Sequence, residues 1–259
     1  MIDSMSDSPV PVDASDDIAR LKRELATCRA ELQALREEQR TFAEGISHDL
    51  RAPLRAIDTF AALLERDRAL GEDARHHLRR VRAGATRLGG LFDALLELSR
   101  AGRAELQLQP VDLGLIAEWV GAELRDAEPA REAHLEVEPG LEVVGDERLL
   151  KSLMSQLLGN AWKFSRDRDH VSIRVSGERI GARLHVGVHD GGSGFDMAYA
   201  GKLSQPFQRL VGSEQGGGHG LGLAIARRVV ERHGGRLSAR SGPGPGASFL
   251  FDLPEASAG

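Results

Sequence analysis

The sequence is poor in cysteine and has no long apolar run. Cys28 is the single cysteine among 259 residues, which excludes an intramolecular disulfide framework and fits a reducing compartment. No apolar run approaches the roughly 18 residues that a membrane-spanning helix needs. The acidic start of the chain also lacks the basic and apolar segments of a secretory signal. We therefore expect a cytoplasmic protein with no direct membrane insertion.

An excess of positive charge is also missing. The chain has 34 Lys and Arg residues against 39 Asp and Glu residues, a net charge of −5 with both signs interspersed. Nucleic-acid-binding domains carry a clustered basic surface, so we expect no nucleic-acid partner. With 41% hydrophobic residues, the chain is long enough for one mid-sized globular domain and an additional helical module.

The N-terminal part is predicted to be a short tail followed by a helix. Residues 1–16 are rich in Ser, Asp and Pro and are expected to form a disordered tail. Over residues 17–40 apolar positions recur at spacings of three and four, which predicts a coiled-coil signalling helix that pairs two copies of the chain. The predicted seam comprises Ile18, Leu21, Leu25, Cys28, Leu32 and Leu35. The seam position of Cys28 favours a packing role over a redox role.

The segment Ser47–Leu54, Ser-His-Asp-Leu-Arg-Ala-Pro-Leu, combines an apolar stripe with a polar face. On a helical wheel His48 falls about 200° from Ile46, on the solvent side and beside Asp49. An imidazole outside the core and next to a carboxylate is placed for nucleophilic or acid–base chemistry. Pro53 removes one helical hydrogen bond and predicts a bend just past the histidine. A solvated surface histidine is the competing interpretation.

A second amphipathic helix follows a break at residues 67–73. Its stripe comprises Leu78, Val81, Ala85, Leu88, Phe92 and Leu95. Two antiparallel helices per chain would bury both stripes in a dimeric four-helix bundle. We therefore predict an all-α domain over residues 41–101 and a homodimer. Gly84, Gly89 and Gly90 weaken the second helix and indicate either mobility or close packing.

Beyond a linker at residues 101–103, helices and strands alternate in a different pattern. Their segregation predicts an α+β two-layer sandwich over residues 104–254, followed by a tail at 255–259. The predicted helices are 113–128, 147–164 and 221–233, and the predicted strands are 106–108, 135–137, 171–176, 184–188, 236–241 and 248–253. Residues 191–220 are rich in glycine and poorly periodic, which predicts a functional lid.

Polar side chains on one predicted helix suggest a metal and phosphate site. Gln156, Asn160 and Lys163 lie at i, i+4 and i+7 and therefore share a helix face. Amide oxygens are hard ligands that suit Mg²⁺, and a lysine beside them suits phosphate oxygens. A polar, solvated helix face would explain the same pattern if it stood alone.

Two glycine-rich segments extend this site. Asp190 ends a strand before Gly191–Gly194. Its carboxylate could accept a hydrogen bond from an exocyclic amine, while the glycines let a planar base approach the backbone. Gly216–Leu223 opens a helix whose free N–H groups form a cradle for a polyphosphate. A single glycine loop is weak evidence, whereas the three clusters in this order predict a nucleotide site.

The motifs resemble those of two-component sensor histidine kinases over about residues 40–254, and two of them are most similar to phytochrome-like kinases. The matching segments are Ser47–Leu54 for the phosphoacceptor motif, Gln156–Phe164 for the asparagine box, Asp190–Gly194 for the first glycine box, Pro206–Leu210 for the phenylalanine box and Gly218–Leu223 for the second glycine box. The resemblance implies a dimerisation and phosphotransfer domain joined to an ATP-binding domain of the Bergerat fold.

The resemblance also implies roles for individual residues. His48 would attack the γ-phosphate of ATP, with Asp49 as its acid–base neighbour, and the phosphoryl group would then pass to an aspartate in the receiver domain of a response regulator. Arg209 would neutralise charge on the transferred group, and Asn160 with Gln156 would bind Mg²⁺. The implied nucleotide-binding set is Asn160, Lys163, Phe164, Asp190, Gly192, Gly194, Phe207, Gly218, Gly220, Leu221 and Gly222.

Four positions depart from the family pattern. Ala52, four residues after His48, stands where kinases with strong phosphatase activity carry threonine or asparagine. Gln156 stands where asparagine is usual and adds a methylene, Gly191 stands where asparagine is common, and His219 stands where threonine or serine is common. His219 could contact phosphate when protonated, or lie on the lid surface.

Two other functions compete with the kinase. A degenerate dimer could serve as a scaffold or phosphotransfer relay. A Bergerat ATPase or serine/threonine kinase would use no histidine, and the segment His48–Pro53 disfavours it. Because no sensor domain is apparent, input would arrive through the coiled coil, from a separate sensor protein, or from a sensor region that lies outside this sequence.

Overall fold

The structure, a computed structural model, describes residues 14–67, 70–103, 105–208, 218–242 and 246–256. Between residues 14 and 49, the side chains described are those at 18, 20–31, 34 and 45. The chain divides into two compact units, one ending at Ile46 and the other beginning at Ser47. The tail predicted for residues 1–16 lies outside the described residues, except for 14–16, which belong to the first helix.

The first unit is helical wherever it is described, as part of helix α1, Ala14–Glu65. Its described seam side chains are all exposed: Ile18, Leu21, Leu25 and Cys28. The remaining seam side chains, Leu32 and Leu35, lie outside the described set. An apolar seam open to solvent in a single chain is what a coiled coil between two copies requires. The pairing itself stays a prediction.

The second unit begins with a helical hairpin, as the sequence predicts. Helix α2 spans Glu72–Ala101 and runs antiparallel to the end of α1. Arg51 near the start of this unit pairs with Asp93 at 2.6 Å. Farther along α1, Glu65 pairs with Arg82 at 3.0 Å. The residue of α1 that comes first in sequence, Arg51, pairs with the later residue of α2, and the end of α1 pairs with the earlier one. These two ion pairs define the antiparallel arrangement.

The rest of the chain forms an α+β domain with a five-stranded mixed sheet in the order β2-β4-β5-β7-β6 and a two-stranded sheet of β1 and β3. β2 is parallel to β4, and every other pair is antiparallel. The elements are β1 Gln109–Asp112, α3 Leu113–Ala127, β2 Ala133–Val137, β3 Glu142–Gly145, α4 Glu147–Phe164, β4 Val171–Ile180, β5 Arg183–Asp190, a 3₁₀ helix Met197–Lys202, α5 Gly222–Arg232, β6 Leu237–Arg240 and β7 Ala247–Pro254.

One face of the five-stranded sheet packs against the helices. Alternate residues of β5 and β7 are buried: Leu184, Val186, Val188, Ala247, Phe249, Phe251 and Leu253. They meet the apolar side of α4, where Leu150, Leu153, Met154, Leu157 and Leu158 are completely buried. Burial on one face of a sheet against one layer of helices is a two-layer sandwich. The predicted fold class is therefore confirmed.

Helix α4 begins where the sequence predicts because Asp146 caps it. The Asp146 carboxylate accepts hydrogen bonds from the Arg148 and Leu149 N–H groups and from the Gln107 N–H group at 3.0 Å. Burial raises the pKa of this carboxyl, but the hydrogen bonds from Gln107 and Arg148 offset burial and leave the pKa below its usual value. The buried His233 accepts from the Asp146 N–H group at 3.0 Å and fixes the start of the helix.

The prediction of a strand at residues 106–108 is wrong. The first strand begins at Gln109, and its partner β3 was not predicted at all. Both strands have only four residues, which is too short for a long alternating pattern. At the other end, the Ala256 N–H group donates to the Glu142 carbonyl at 3.4 Å. The domain's hydrogen bonding thus extends two residues past the predicted boundary at 254.

Candidate nucleotide-binding site

A cavity of about 250 Å³ lies where the three predicted clusters meet. It is bounded by α4, the end of β5 and the start of α5, with one side chain from α2, Ala94. Ten predicted nucleotide or metal residues line it: Gln156, Asn160, Lys163, Phe164, Asp190, Gly194, Gly218, Gly220, Leu221 and Gly222. Segments 30 to 60 residues apart in sequence thus form a single site, which is the arrangement that their order predicts.

Asp190 presents a carboxylate oxygen to the cavity. Its Oδ1 accepts from the Gly192 N–H group at 2.9 Å and from the Ala247 N–H group at 3.3 Å. Within the described part of the chain, Oδ2 has no hydrogen bond, so it remains able to accept one from a ligand. Burial raises the pKa of this carboxyl, and the two N–H groups offset only part of that effect.

The glycines around Asp190 allow backbone segments to approach closely. A Cβ on Gly192 would lie 2.6 Å from the Phe164 carbonyl oxygen at the end of α4. Gly194 has a positive φ of 70°, and a Cβ there would lie 2.9 Å from the Gly246 carbonyl oxygen. Gly191, in contrast, has room for a side chain, since a Cβ there would meet nothing closer than 3.6 Å. That space agrees with asparagine being common at this position in the family that the sequence resembles.

Lys163 and the second glycine segment meet at the cavity wall. A Cβ on Gly218 would lie 2.6 Å from the Lys163 Nζ atom, so the ammonium group rests against the backbone of this segment. Nζ also lies 4.6 Å from the centroid of the Phe164 ring. Gly220 has a positive φ of 71° and leads into α5. The ammonium group and the N-terminus of α5 together create a positive site suited to phosphate.

Gln156 has a defined orientation. Its Nε2 donates to the Glu97 Oε2 of α2 at 3.1 Å. Its Oε1 points to the start of α5, because a Cβ on Gly222 would lie 2.6 Å from it. The amide of Asn160, one turn later, lies near the same glycine. Two amides therefore converge on the start of α5.

Other predicted residues do not line the cavity. Gly192 contributes through its packing on α4, as described above. Phe207 is 58% exposed and has an unusual positive φ of 64°, and its N–H group donates to the Gly220 carbonyl at 2.9 Å. The phenylalanine segment therefore meets the second glycine segment through the backbone. Arg209 lies outside the described residues. His48 and Asp49 belong to helix α1, but only their backbone is described, and their side chains lie outside the described set.

Helix α2 contributes residues that the sequence did not indicate. Glu97 receives hydrogen bonds from Ser152 Oγ at 2.5 Å and from Gln156 of α4. The His219 ring packs on Gly90, where a Cβ would lie 2.5 Å from Nε2. Of the two interpretations of the α2 glycines, mobility and close packing, close packing therefore applies to Gly90. No periodicity could have revealed these contacts, because they join segments far apart in sequence.

Comparison with known proteins agrees with this architecture. Residues 145–257 match the family described as histidine kinase-, DNA gyrase B- and HSP90-like ATPase, and residues 38–104 match the His Kinase A (phospho-acceptor) domain. Across the residues that the structure describes, no helix has both the length and the apolarity to cross a membrane.

Individual relatives cover nearly the whole chain. Phytochrome-like protein Cph1 of Synechocystis sp. is 29% identical over 92% of this chain and 32% of its own length. Sensor protein DivL of Caulobacter vibrioides is 31% identical over 92% of this chain and 31% of its own length. The crystal structure of full-length ShkA in complex with AMPPNP superposes with a TM-score of 0.62 at 28% identity, covering 83% of this chain and 46% of ShkA.

The chain spans about a third of the length of Cph1 and of DivL. Within that third, a phosphoacceptor domain precedes an ATPase domain. This order of the two matched family models places the chain in the family of two-component sensor histidine kinases.

Proposed function

We propose that the chain is an ATP-dependent protein-histidine kinase. It would phosphorylate its own His48 and pass the phosphoryl group to an aspartate in a response regulator receiver domain, as a step of two-component signal transduction. The observation that carries the proposal is the cavity in which the open Oδ2 of Asp190, the ammonium of Lys163 and the start of α5 converge. Because ATP is the substrate, we place this activity in the cytoplasm.

Adenine recognition rests on Asp190. An exocyclic amine donates hydrogen bonds, and Oδ2 is the acceptor that the described part of the site leaves open. A donor at Oδ2 favours the ionised carboxylate, so nucleotide binding opposes the effect of burial, which raises the pKa of Asp190. Gly194 lines the cavity and has no side chain, so a planar base could approach its backbone closely.

Phosphate binding rests on Lys163 and α5. Within the described residues, no side chain caps the N-terminus of α5, so its first N–H groups can bind anionic oxygens. Asn160 and Gln156 would hold Mg²⁺ through their amide oxygens, and the bound ion would neutralise phosphate charge. No group of three acidic, histidine or cysteine side chains suited to a metal exists among the described residues. Amides and the substrate's own phosphates are therefore the ligands that we propose.

Phosphoryl transfer would use the side chains of α1. A ring nitrogen of His48 attacks the γ-phosphorus, the bond to the bridging β-oxygen breaks, and ADP leaves with the electron pair. Asp49 takes the imidazole proton, and Arg209 stabilises the transferred group. The receiver aspartate then attacks the phosphorus and releases His48.

The hairpin supports the proposal of a homodimer. Its large apolar side chains that remain about half exposed or more in the single chain are Ile57, Phe60, Leu63, Leu64, Val81 and Leu88. They belong to both α1 and α2, and an exposed apolar surface of this kind is buried when two hairpins form a four-helix bundle. Input would reach the hairpin through the coiled coil of residues 17–40, from a separate sensor protein, or from a sensor region that lies outside this sequence.

Incubation of the chain with γ-labelled ATP and Mg²⁺ tests this function. We expect a label that is lost in acid and retained in alkali, the stability of a phosphorylated histidine. His48→Gln should abolish it, whereas His77→Gln, an exposed histidine on α2, should keep it. Nucleotide binding without any label would instead favour the degenerate scaffold, and a label that persists in His48→Gln would place the nucleophile elsewhere.

A further inference from the structure

Glu97 joins the helical hairpin to the metal-facing side of α4. Its Oε1 accepts from Ser152 Oγ at 2.5 Å, and its Oε2 accepts from Gln156 Nε2 at 3.1 Å. Both donors belong to α4 and lie one helical turn apart, so the two carboxylate oxygens are held at once. This fixes the plane of the carboxylate against the face of α4 that leads into the cavity.

The contact determines which end of the Gln156 amide faces the cavity. A primary amide has a donor end and an acceptor end, and a metal ion needs the oxygen. An ionised carboxylate only accepts hydrogen bonds, so Glu97 selects the Nε2 end for itself. Oε1 is thereby directed to the start of α5, near Gly222. We infer that Glu97 is a positioning residue, which orients Gln156 so that its oxygen can bind the nucleotide-associated Mg²⁺.

The need for such a residue follows from the glutamine itself. Glutamine has one more rotatable bond than the asparagine usual at this position, and so more conformations must be excluded before its oxygen can bind. Hydrogen bonds from outer residues commonly fix the orientation of metal ligands. Here the outer residue belongs to the hairpin, whereas Gln156 belongs to the ATPase domain.

Hairpin packing and metal affinity are therefore coupled. Ala94, one turn before Glu97 on α2, lines the same cavity, and His219 of the second glycine segment rests on Gly90 of α2. Movement of α2 away from α4 would release the Gln156 amide. Mg²⁺ would then increase the affinity of the cavity for nucleotide by a smaller factor. This inference rests on the proposed role of Gln156 as a metal ligand.

Binding of ADP to the whole chain, measured by calorimetry with Mg²⁺ and again with EDTA, tests the inference without any catalytic readout. We define the magnesium advantage as the Kd in EDTA divided by the Kd in Mg²⁺. Glu97→Gln should reduce this advantage about tenfold or more, the usual effect of losing an outer-shell partner, while the Kd in EDTA stays unchanged. Ser152→Ala should reduce it less, since it frees only one carboxylate oxygen.

Glu123→Gln is the matched control. Glu123 on α3 also pairs with α4, through Lys151 at 3.0 Å, but it does not line the cavity. Its substitution should leave the magnesium advantage unchanged. If Glu97→Gln instead weakens ADP binding equally in Mg²⁺ and in EDTA, Glu97 is only a packing contact and the inference is overturned.

Repeating the Glu97→Gln substitution in a Gln156→Glu variant separates its effect on the orientation of side chain 156 from its other effects. In Gln156→Glu both ends of the side chain are oxygens, so no orientation needs to be selected. Glu97→Gln should then no longer reduce the magnesium advantage, and a persistent reduction would contradict the inference.

The wild type and Gln156→Ala separate this inference from the proposed function. No magnesium advantage in the wild type would overturn the metal assignment itself. An advantage that is lost in Gln156→Ala but kept in Glu97→Gln would overturn the inference alone.

Discussion

Replacing Asp190 by asparagine should reverse the hydrogen-bonding character of one atom in the cavity. The asparagine Oδ1 can still accept from the Gly192 and Ala247 N–H groups that the carboxylate Oδ1 now binds at 2.9 and 3.3 Å. The atom that replaces Oδ2 is then an NH₂ group, which cannot accept from the amine of adenine. A hydrogen bond to a charged group contributes about 1.5–3 kcal/mol. We therefore expect ADP to bind roughly ten to a hundred times more weakly.

Inosine diphosphate provides the discriminating ligand, because its ring carries a carbonyl where adenine has the amine. The wild type should prefer ADP, and Asp190→Asn should lose or reverse that preference, as measured by calorimetry with both nucleotides. Asp196→Asn is the control, since Asp196 accepts from the Ala198 N–H group at 2.8 Å and does not line the cavity. An unchanged ADP preference in Asp190→Asn would refute this assignment of the base-binding atom.

The same substitution has an expected effect on stability. The pKa of Asp190 is raised by folding, so the folded state holds this proton more tightly than the unfolded state. Without nucleotide, the ionised carboxyl therefore opposes folding, and this penalty disappears as the pH falls through the raised pKa. Asp190→Asn should be at least as stable as the wild type at pH 7 in urea unfolding. Weaker ADP binding would then not be a consequence of unfolding.

Asp146→Ala should lower the free energy of unfolding by about 1–2 kcal/mol at pH 7, because α4 loses its N-cap. Folding lowers the pKa of Asp146, so its contribution is present above about pH 4 and is lost as the pH falls through the folded pKa. The difference from the wild type in urea unfolding should therefore narrow in acid, and a constant difference would contradict the assigned ionisation. Gly218→Ala places a methyl group 2.6 Å from Lys163 Nζ, so ADP should bind roughly tenfold more weakly. Adenosine, which has no phosphate, should bind as before, and an equal loss for both ligands would exclude a phosphate-specific role.

The sequence was most informative where local and tertiary signals agree. Helix α4 was predicted from residue 147 to residue 164, which is its observed extent. The structure gives a local reason for this agreement, since Asp146 caps an amphipathic segment. Its amides and lysine then lie on the face that the spacing requires. The first glycine segment was equally informative, since Gly194 has the positive φ that glycine tolerates. Family and fold class were therefore predicted correctly.

The contacts of α2 could not be predicted in this way. Glu97 is one charged residue on a helix with many, and nothing in its spacing indicates Ser152 or Gln156 as partners. The glycines of α2 have different surroundings: Gly90 packs against His219, whereas Gly84 and Gly89 have open space at the Cβ position. Short strands such as β1 and β3 were missed or displaced because their pairing depends on each other. Such features depend on tertiary packing and leave no periodic signal in the sequence.

In the proposed function, ATP bound in the cavity supplies a phosphoryl group to His48. Tandem mass spectrometry of the chain after incubation with ATP and Mg²⁺, with all handling at alkaline pH, tests it most directly. We predict one phosphoryl group on the imidazole of His48 in the wild type and none in Asp190→Asn at limiting ATP. A phosphoryl group on another residue, or an unmodified chain that nevertheless binds ADP, would contradict autophosphorylation at His48.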